Sequence, residues 1–261
     1  MNVKDWVVIV TGSSSGIGAA TARLLSENGA RVVINYSRSE DAAREVQAAC
    51  EAGGGEALVC KADIGSDADC RAMAKAAVDK WGKIDGLVNN AGTTKFAAHT
   101  DLEALSAEDF ANIMAINVTG TYQMTRAVVP AMRNNGFGAI VNVSSIAGIM
   151  GVGSSIAYAA SKGAINTMTL ALAKALGPEI RVNTLCPGFV QGRWLRQGMG
   201  EELYDTVKRG LETNAPLRRA GTADDMAQSI HFLLAGNRNM TGEIMVCDAG
   251  VHLSAAALQP R

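Results

Sequence analysis

The chain has 261 residues, enough to bury a substantial core and fitted to one large α/β domain more comfortably than to two small ones. Its 24 Lys and Arg against 25 Asp and Glu leave a formal net charge of −1, with neither a basic footprint for polyanions nor an acidic tail, which speaks against nucleic acid as a partner. No uncharged apolar run is long enough to span a bilayer, and the start, with Lys4 and Asp5 before a short apolar stretch, lacks a signal-peptide core; the expectation is a soluble, cytoplasmic protein without a membrane partner.

Apolar strand-like runs alternate with helix-length amphipathic segments from end to end, the pattern of a parallel sheet covered by helices on both faces. The first strand is predicted at 7–10. Directly after it comes Thr11-Gly12-Ser13-Ser14-Ser15-Gly16-Ile17-Gly18, and then a helix with Ile17, Thr21, Leu24 and Leu25 on one face and Gly29 at its end. A glycine-rich strand-to-helix turn lets the backbone approach a pyrophosphate and aims free N–H groups and the positive helix end at it; a tight turn with no ligand is the plainer alternative. Further strands are predicted at 31–35, 57–61, 84–89, 139–144, 180–186 and 243–248, making seven. Gly53-Gly54-Gly55 reads as a turn, and Ser66-x-x-Asp69, Ser106-x-x-Asp109 and Thr222-x-x-Asp225 have the spacing of capping boxes that start helices. The segment 188–214, with Gly192, Gly198 and Gly200 among Trp194, Leu195, Met199, Leu203 and Tyr204, breaks the strand-helix rhythm and reads as a glycine-hinged, apolar lid over a substrate site. Cys50, Cys60, Cys70, Cys186 and Cys247 are odd in number without a CxxC pair, and His99, His231 and His252 have no ligand spacing, so neither disulfides nor a metal are expected.

The spacing Gly12-x-x-x-Gly16-x-Gly18 differs from the Gly-x-Gly-x-x-Gly of common dinucleotide folds. After it come Asp63-Ile64, Asn89-Asn90-Ala91-Gly92, Asn117, Ser144-Ser145, Tyr158-x-x-x-Lys162, Arg181-Val182-Asn183, Pro187-Gly188 and Asp248-Ala249-Gly250. In this order the set resembles the short-chain dehydrogenase/reductase family along the whole chain, closest to the 3-oxoacyl-acyl-carrier-protein reductase-like and glucose dehydrogenase-like group. The resemblance implies a single Rossmann-type domain over 1–261, α/β and doubly wound, with seven parallel strands and helices on both faces.

Tyr158 and Lys162 lie four apart, so on a helix they share a face; in isolation such a pair reads as surface. A phenol with a reference pKa of about 10 is a poor base at neutral pH. Lowering it by about 3 units takes about 4 kcal/mol, which Lys162 and a cationic nicotinamide could jointly supply. The resemblance implies that Tyr158 donates the proton to the carbonyl oxygen while Ser145, 13 residues before it, hydrogen-bonds the same oxygen. It further implies that Lys162 binds the nicotinamide ribose and that Asn117 holds a relay water; a helix-kink role for Asn117 is compatible with this. Ser144 reads as the last strand residue.

NAD-preferring relatives carry an acidic residue at the end of the second strand. Here Asn35-Tyr36-Ser37-Arg38-Ser39 has no carboxylate and Arg38 can pair with a 2′-phosphate, which favours NADP(H) over NAD(H). The cofactor set is then Gly12, Ser14, Ser15, Gly16, Ile17, Gly18, Asn35, Tyr36, Ser37, Arg38, Asp63, Ile64, Asn90, Ala91, Gly92, Tyr158, Lys162, Pro187, Gly188 and Val190. Gly192 stands where relatives often have a threonine that contacts the carboxamide. Substrate contacts are expected from Thr94, Phe96, Ile146, Met150, Val152, Trp194 and Met199, whose apolar character favours a hydrophobic ketone or alcohol; a subunit interface is the structural alternative for any one of them. A 3-oxoacyl thioester or a sugar is an alternative substrate, although Asn134-Asn135-Gly136 and Gly177-Pro178-Glu179, apart from Arg126 and Arg133, lack the basic surface that carrier docking uses. A catalytically silent NADP(H)-sensing or scaffold protein is the alternative of another class, set against the intact Asn117, Ser145, Tyr158 and Lys162. Relatives are commonly homotetramers joined through the helices of Asn117 and Tyr158, where Ala171, Ala173 and Ala175 would permit close packing.

Overall fold

A computed structural model describes residues 2–253; Met1 and residues 254–261 lie outside the described residues. Seven parallel strands form one sheet: β1 (Val7–Val10), β2 (Arg31–Tyr36), β3 (Glu56–Lys61), β4 (Gly86–Asn89), β5 (Gly138–Val143), β6 (Ile180–Pro187) and β7 (Ile244–Cys247), in the order β3-β2-β1-β4-β5-β6-β7. The order reverses between β1 and β4, the switch point above whose carboxyl strand ends sheets of this kind bind ligands.

The expected doubly wound, single-domain architecture is what the chain adopts, and the reason is legible strand by strand. Val8 and Val10 of β1 pack with Ile34, Val141 and the helices α1 (Gly16–Glu27), α2 (Glu40–Ala52) and α10 (Ala223–Ala235) on one face. Val7 and Ile9 point the other way, onto α3 (Asp67–Trp81), α5 (Thr121–Asn134) and α7 (Ile156–Leu176). Side chains alternate along a strand, so a run apolar at every position has to be covered twice. The predicted fourth strand began at Ile84, but the ladder starts at Gly86. Asp85 precedes it with its carboxylate accepting from Val7 N at 2.8 Å and from Lys83 at 2.9 Å, closing the β1 end instead of extending β4.

The Ser106–Asp109 capping box starts α4 (Ala107–Met114), and Thr222–Asp225 starts α10, both arms formed in each. Ser66 caps α3, but the Asp69 carboxylate reaches Asp63 N at 2.9 Å, so that box has one arm. Between α4 and α5 the chain widens into a π-helical segment, Ala115–Gly120, which carries Asn117. Arg181 is buried and donates to the carbonyls of Leu233, Leu234 and Met240, while Asn183 binds Met240 O and Glu243 N. The Arg-Val-Asn motif therefore ties the end of α10 and the approach to β7 onto β6.

Ala173 is buried against the chain's own core, which removes it from the surface expected to join subunits; Ala171 and Ala175 are exposed. Among the described residues no helix is long and apolar enough to cross a membrane, and no cluster could hold a metal ion.

Candidate active site

The turn between β1 and α1 is built by contacts that reach across the chain. Gly12 has φ +61°, and a Cβ on it would stand 2.9 Å from Ala91 Cα. One on Gly18 would stand 2.6 Å from both Asn90 Nδ2 and Gly12 O, so Gly18 serves the closeness of the turn to Asn90 and not only helix-on-strand packing. Asn90 Nδ2 donates to Thr11 O at 2.9 Å and Gly12 O at 3.2 Å, and the N–H groups of Asn90 and Ala91 both donate to Thr11 Oγ1. From the other side Asn35 Oδ1 accepts from Gly12 N at 2.9 Å, and its Nδ2 donates to Ala62 O at 3.0 Å. Asn35 is 2% exposed, so this side chain, expected to touch a cofactor, braces the turn from within the protein.

The far end of the turn is different. Ser66, Ser106, Ser155 and Thr222 cap α3, α4, α7 and α10 with their side chains, whereas Ser15 makes no capping bond on α1, nor Ser39 on α2, where Glu40 and Asp41 stand in the first turn. The first turn of α1 also carries no acidic residue, and the space around Gly16, at φ +56°, is open. Unsatisfied N–H groups at a positive helix end, approached by glycines, match a phosphate donor for acceptor.

Ser37 and Arg38 follow β2 and are exposed, and Arg38 has no carboxylate partner among the described residues. Tyr36 is buried in the core with its hydroxyl on the Glu40 carboxylate, which raises the phenol's pKa; the same bond and Arg44 hold Glu40 below the usual carboxylate range. At the neighbouring strand end Asp63 is exposed at the rim and accepts from Gly65 N, whereas Ile64 is buried, close enough to Gly120 that a Cβ there would meet it at 3.0 Å. Ile64 thus supports the π segment.

Ser145, Tyr158, Lys162 and Asn117 converge above the ends of β4 and β5. Ser144 Oγ donates to Lys162 O at 2.9 Å and is spent on structure, while the Ser145 hydroxyl hydrogen-bonds the Tyr158 phenol. Lys162 Nζ donates to Val143 O at 2.8 Å and lies 5.4 Å from the centre of the Tyr158 ring. Asn117 is fully buried: its Oδ1 accepts from Thr93 N at 2.7 Å, its Nδ2 donates to Ser161 Oγ at 3.0 Å, and its carbonyl accepts from Thr121 Oγ1 at 2.7 Å. Its amide thereby fixes the loop after Gly92 to α7.

Burial pushes the Tyr158 phenol up to about 12, the Ser145 hydrogen bond opposing it, and burial pulls the Lys162 ammonium down to about 8. The lysine does not by itself lower the phenol, because desolvation penalises the charged form of both groups.

A family model described as enoyl-(acyl carrier protein) reductase matches residues 12–252. A Streptomyces violaceoruber protein, named for the granaticin polyketide synthase as its ketoacyl reductase 2, is 39% identical over 95% of this chain and 96% of its own. The chain belongs to the short-chain dehydrogenase/reductase family. Within it the chain falls in the 3-oxoacyl-acyl-carrier-protein reductase-like group: a reductase of that name from Synechocystis is 34% identical over 94% of this chain and 96% of its own. Among solved structures, xylitol dehydrogenase bound to NAD+ superposes with a TM-score of 0.86 at 31% identity, covering 94% of this chain and 98% of its own. As a member of this family the protein is an oxidoreductase that works with a nicotinamide cofactor.

The structure also places the family's remaining motifs. Pro187 ends β6, its carbonyl accepting from Ile146 N at 3.0 Å, and a Cβ on Gly188 would stand 2.6 Å from Asp248 Cβ. Val190 bridges to Gly221 and packs on the core. Gly192 N donates to Tyr204 Oη at 3.3 Å. The predicted lid is two helices, α8 (Arg193–Met199) and α9 (Glu201–Asn214), anchored by Tyr204, whose buried ring packs on Phe189 and Arg196. Of the expected substrate contacts, Phe96 and Trp194 meet Tyr158 in one aromatic file, and Thr94 Oγ1 is 2.7 Å from Ser154 Oγ. Met150 and Val152 are exposed, and Ile146 and Met199 are half-buried. Two glycines escaped the sequence reading as site residues: a Cβ on Gly153 would stand 3.7 Å from the Tyr158 ring, and one on Gly198 would overlap Phe96. An isolated glycine in a helical pattern was the available signal for Gly198.

Proposed function

We propose that the protein moves a hydride between NADP(H) and a hydrophobic ketone or its secondary alcohol, with Tyr158 as general acid and base. The observation that carries this reading is the meeting of Ser145, Tyr158 and Lys162 beside a helix end that the protein leaves uncapped. The residues suited to hold the cofactor are Ser14 to Gly18 for its phosphates, Ser37 and Arg38 for a 2′-phosphate, Asp63 and Ala91 at the rim, and Lys162 with Gly188 near the nicotinamide. Bound there, the dinucleotide supplies or accepts the hydride. Ser145 and Tyr158 hold the carbonyl oxygen; Tyr158 gives it a proton in reduction and takes one back in oxidation. A phenol held near 12 stays protonated at neutral pH, so the donor form is the one populated until a positive charge enters the site. Lys162, whose buried ammonium is easily discharged, is suited to pass the proton onward.

The segment 188–214 serves as the substrate lid, with Thr94, Phe96, Ile146, Met150, Val152, Trp194 and Met199 as the contacts on offer. Exposed Phe110, Tyr122 and Leu170 on α4, α5 and α7 support assembly of a homotetramer through those helices. Following NADPH absorbance with a panel of hydrophobic ketones tests the reading: oxidation is expected with NADPH and weaker with NADH. No turnover of any ketone, and none of the alcohols in reverse, would sink it.

A further inference from the structure

The aromatic file at the catalytic tyrosine is more specific than an apolar lid requires. Trp194 stands between Phe96 and Tyr158, with ring centres 5.8 Å from the first and 6.1 Å from the second. Its position is built from both sides. On the lid, α8 runs between Gly192 and Gly200, and Gly198 brings the helix backbone so close to Phe96 that a single added carbon would stand 1.9 Å from the ring. Below, the loop carrying Phe96 is pinned by Ala97 N donating to Ser154 O at 2.9 Å and by the Thr94–Ser154 hydroxyl pair. Gly153 also lies close to the Tyr158 ring, so that a Cβ on it would stand 3.7 Å away. Trp194 nevertheless keeps 49% of its surface exposed, so this fixed indole has a face that the protein does not cover.

A carbonyl oxygen bonded to the Tyr158 hydroxyl brings the substituents of its carbon alongside that indole. Of the cations near the file, Lys95 is paired with Asp109 at 2.6 Å and Arg196 with Glu201 and Asp205, while Arg193, next to Trp194 in the chain, is exposed to solvent. Aromatic rings prefer offset or edge-to-face partners at such separations, and a rigid ring loses little entropy on docking. We infer that Trp194, seated by Phe96 and Gly198, is the specificity-determining residue of this site and selects carbonyl compounds with a planar ring attached to the reacting carbon. The inference rests on the function proposed above and adds its substrate class.

Three ketones of equal carbon number test it: acetophenone, cyclohexyl methyl ketone and 2-octanone. The wild type is expected to turn over acetophenone with the highest kcat/KM. Trp194→Ala is expected to lower that value by about tenfold while changing 2-octanone by less than about threefold, and Trp194→Phe to restore most of the loss. Gly198→Ala, which keeps the indole but displaces it, should follow Trp194→Ala. An equal fall on all three ketones, or a wild type that prefers 2-octanone, overturns the inference and leaves Trp194 as a support of the lid. Should no ketone be reduced, the proposed function fails and binding decides this point separately. Saturable quenching of tryptophan fluorescence by acetophenone, lost in Trp194→Phe and absent with cyclohexyl methyl ketone, upholds ring selection; no saturable quenching overturns it.

Discussion

The turn between β1 and α1 and the lid segment proposed at 188–214 are both rich in glycine, yet they are held in different ways. In the turn, a Cβ on Gly12 or Gly18 would stand within 3 Å of Ala91 or Asn90, and Asn35 and Asn90 tie it by hydrogen bonds that span 22 to 79 residues of chain. The lid is tied at its base by backbone bonds of Gly188 to Cys247 and of Phe189 and Gln191 to Gly221, and beyond Gln191 it is held by ring contacts, surface ion pairs of Arg196 and one long hydrogen bond from Gly192 to Tyr204. A site for an invariant group is made rigid by buried polar bonds, which are expensive to break once water is excluded. Beyond Gln191 the lid rests on ring packing instead, which seats Trp194 against Phe96 without buried polar bonds.

The contrast yields expectations that descend in size. Tyr158→Phe removes the proton donor alone, so kcat should fall about a thousandfold while NADPH still binds, as a fluorescence titration would establish; near-normal turnover would contradict the assigned chemistry. Gly18→Ala forces a Cβ against Asn90 and Gly12, and overpacking of this kind costs about 1–3 kcal/mol. Calorimetry should show both weaker NADPH binding and a lower thermal midpoint, whereas Gly210→Ala inside α9, which meets nothing within 4 Å, should leave NADPH binding unchanged and raise the midpoint slightly, by the ~1 kcal/mol that alanine gains over glycine in a helix.

Arg38→Ala should lower kcat/KM for NADPH by about ten- to a hundredfold, the worth of one charge-assisted hydrogen bond, and leave NADH untouched. Equal losses on both cofactors would remove the 2′-phosphate role. Lys162 gives a pH-dependent expectation. Its folded-state pKa is about 8 and its ordinary value 10.5, so the cost of burying the ammonium is fully present below about pH 8 and gone above about pH 10.5. Between these limits the unfolded chain binds more protons and the wild type gains stability as pH rises. The advantage of Lys162→Met in urea unfolding, on the order of 1 kcal/mol near neutral pH, should therefore shrink by about pH 9.5. The smallest effect belongs to the lid anchor: Tyr204→Phe loses one long hydrogen bond, about 1 kcal/mol or less, and should raise KM a fewfold with kcat nearly unchanged.

Much of the cofactor half is legible from local pattern. The apolar run of β1 demands cover on both faces, and the glycine spacing after it marks the turn. Asn35 was legible only in part, because its brace depends on β2 lying beside β1, and it is the sheet that turns a candidate ligand contact into a buried support. Ala173 likewise looked like subunit surface until the rotation of α7 against the sheet put it inside. The closeness of Gly198 to Phe96 joins residues about a hundred positions apart, beyond any local signal.

By itself the sequence determined the order of elements, the parallel sheet, the helix starts and the spacing of Asn117, Ser145, Tyr158 and Lys162, since each follows from short-range periodicity, capping chemistry or fixed spacing. Tertiary structure alone decided which asparagines brace the turn, that the start of α1 stays uncapped, and which aromatic ring stands beside Tyr158. It also set the direction of the two catalytic pKa shifts, because desolvation is a property of the enclosure around a group and not of the residues next to it in the chain.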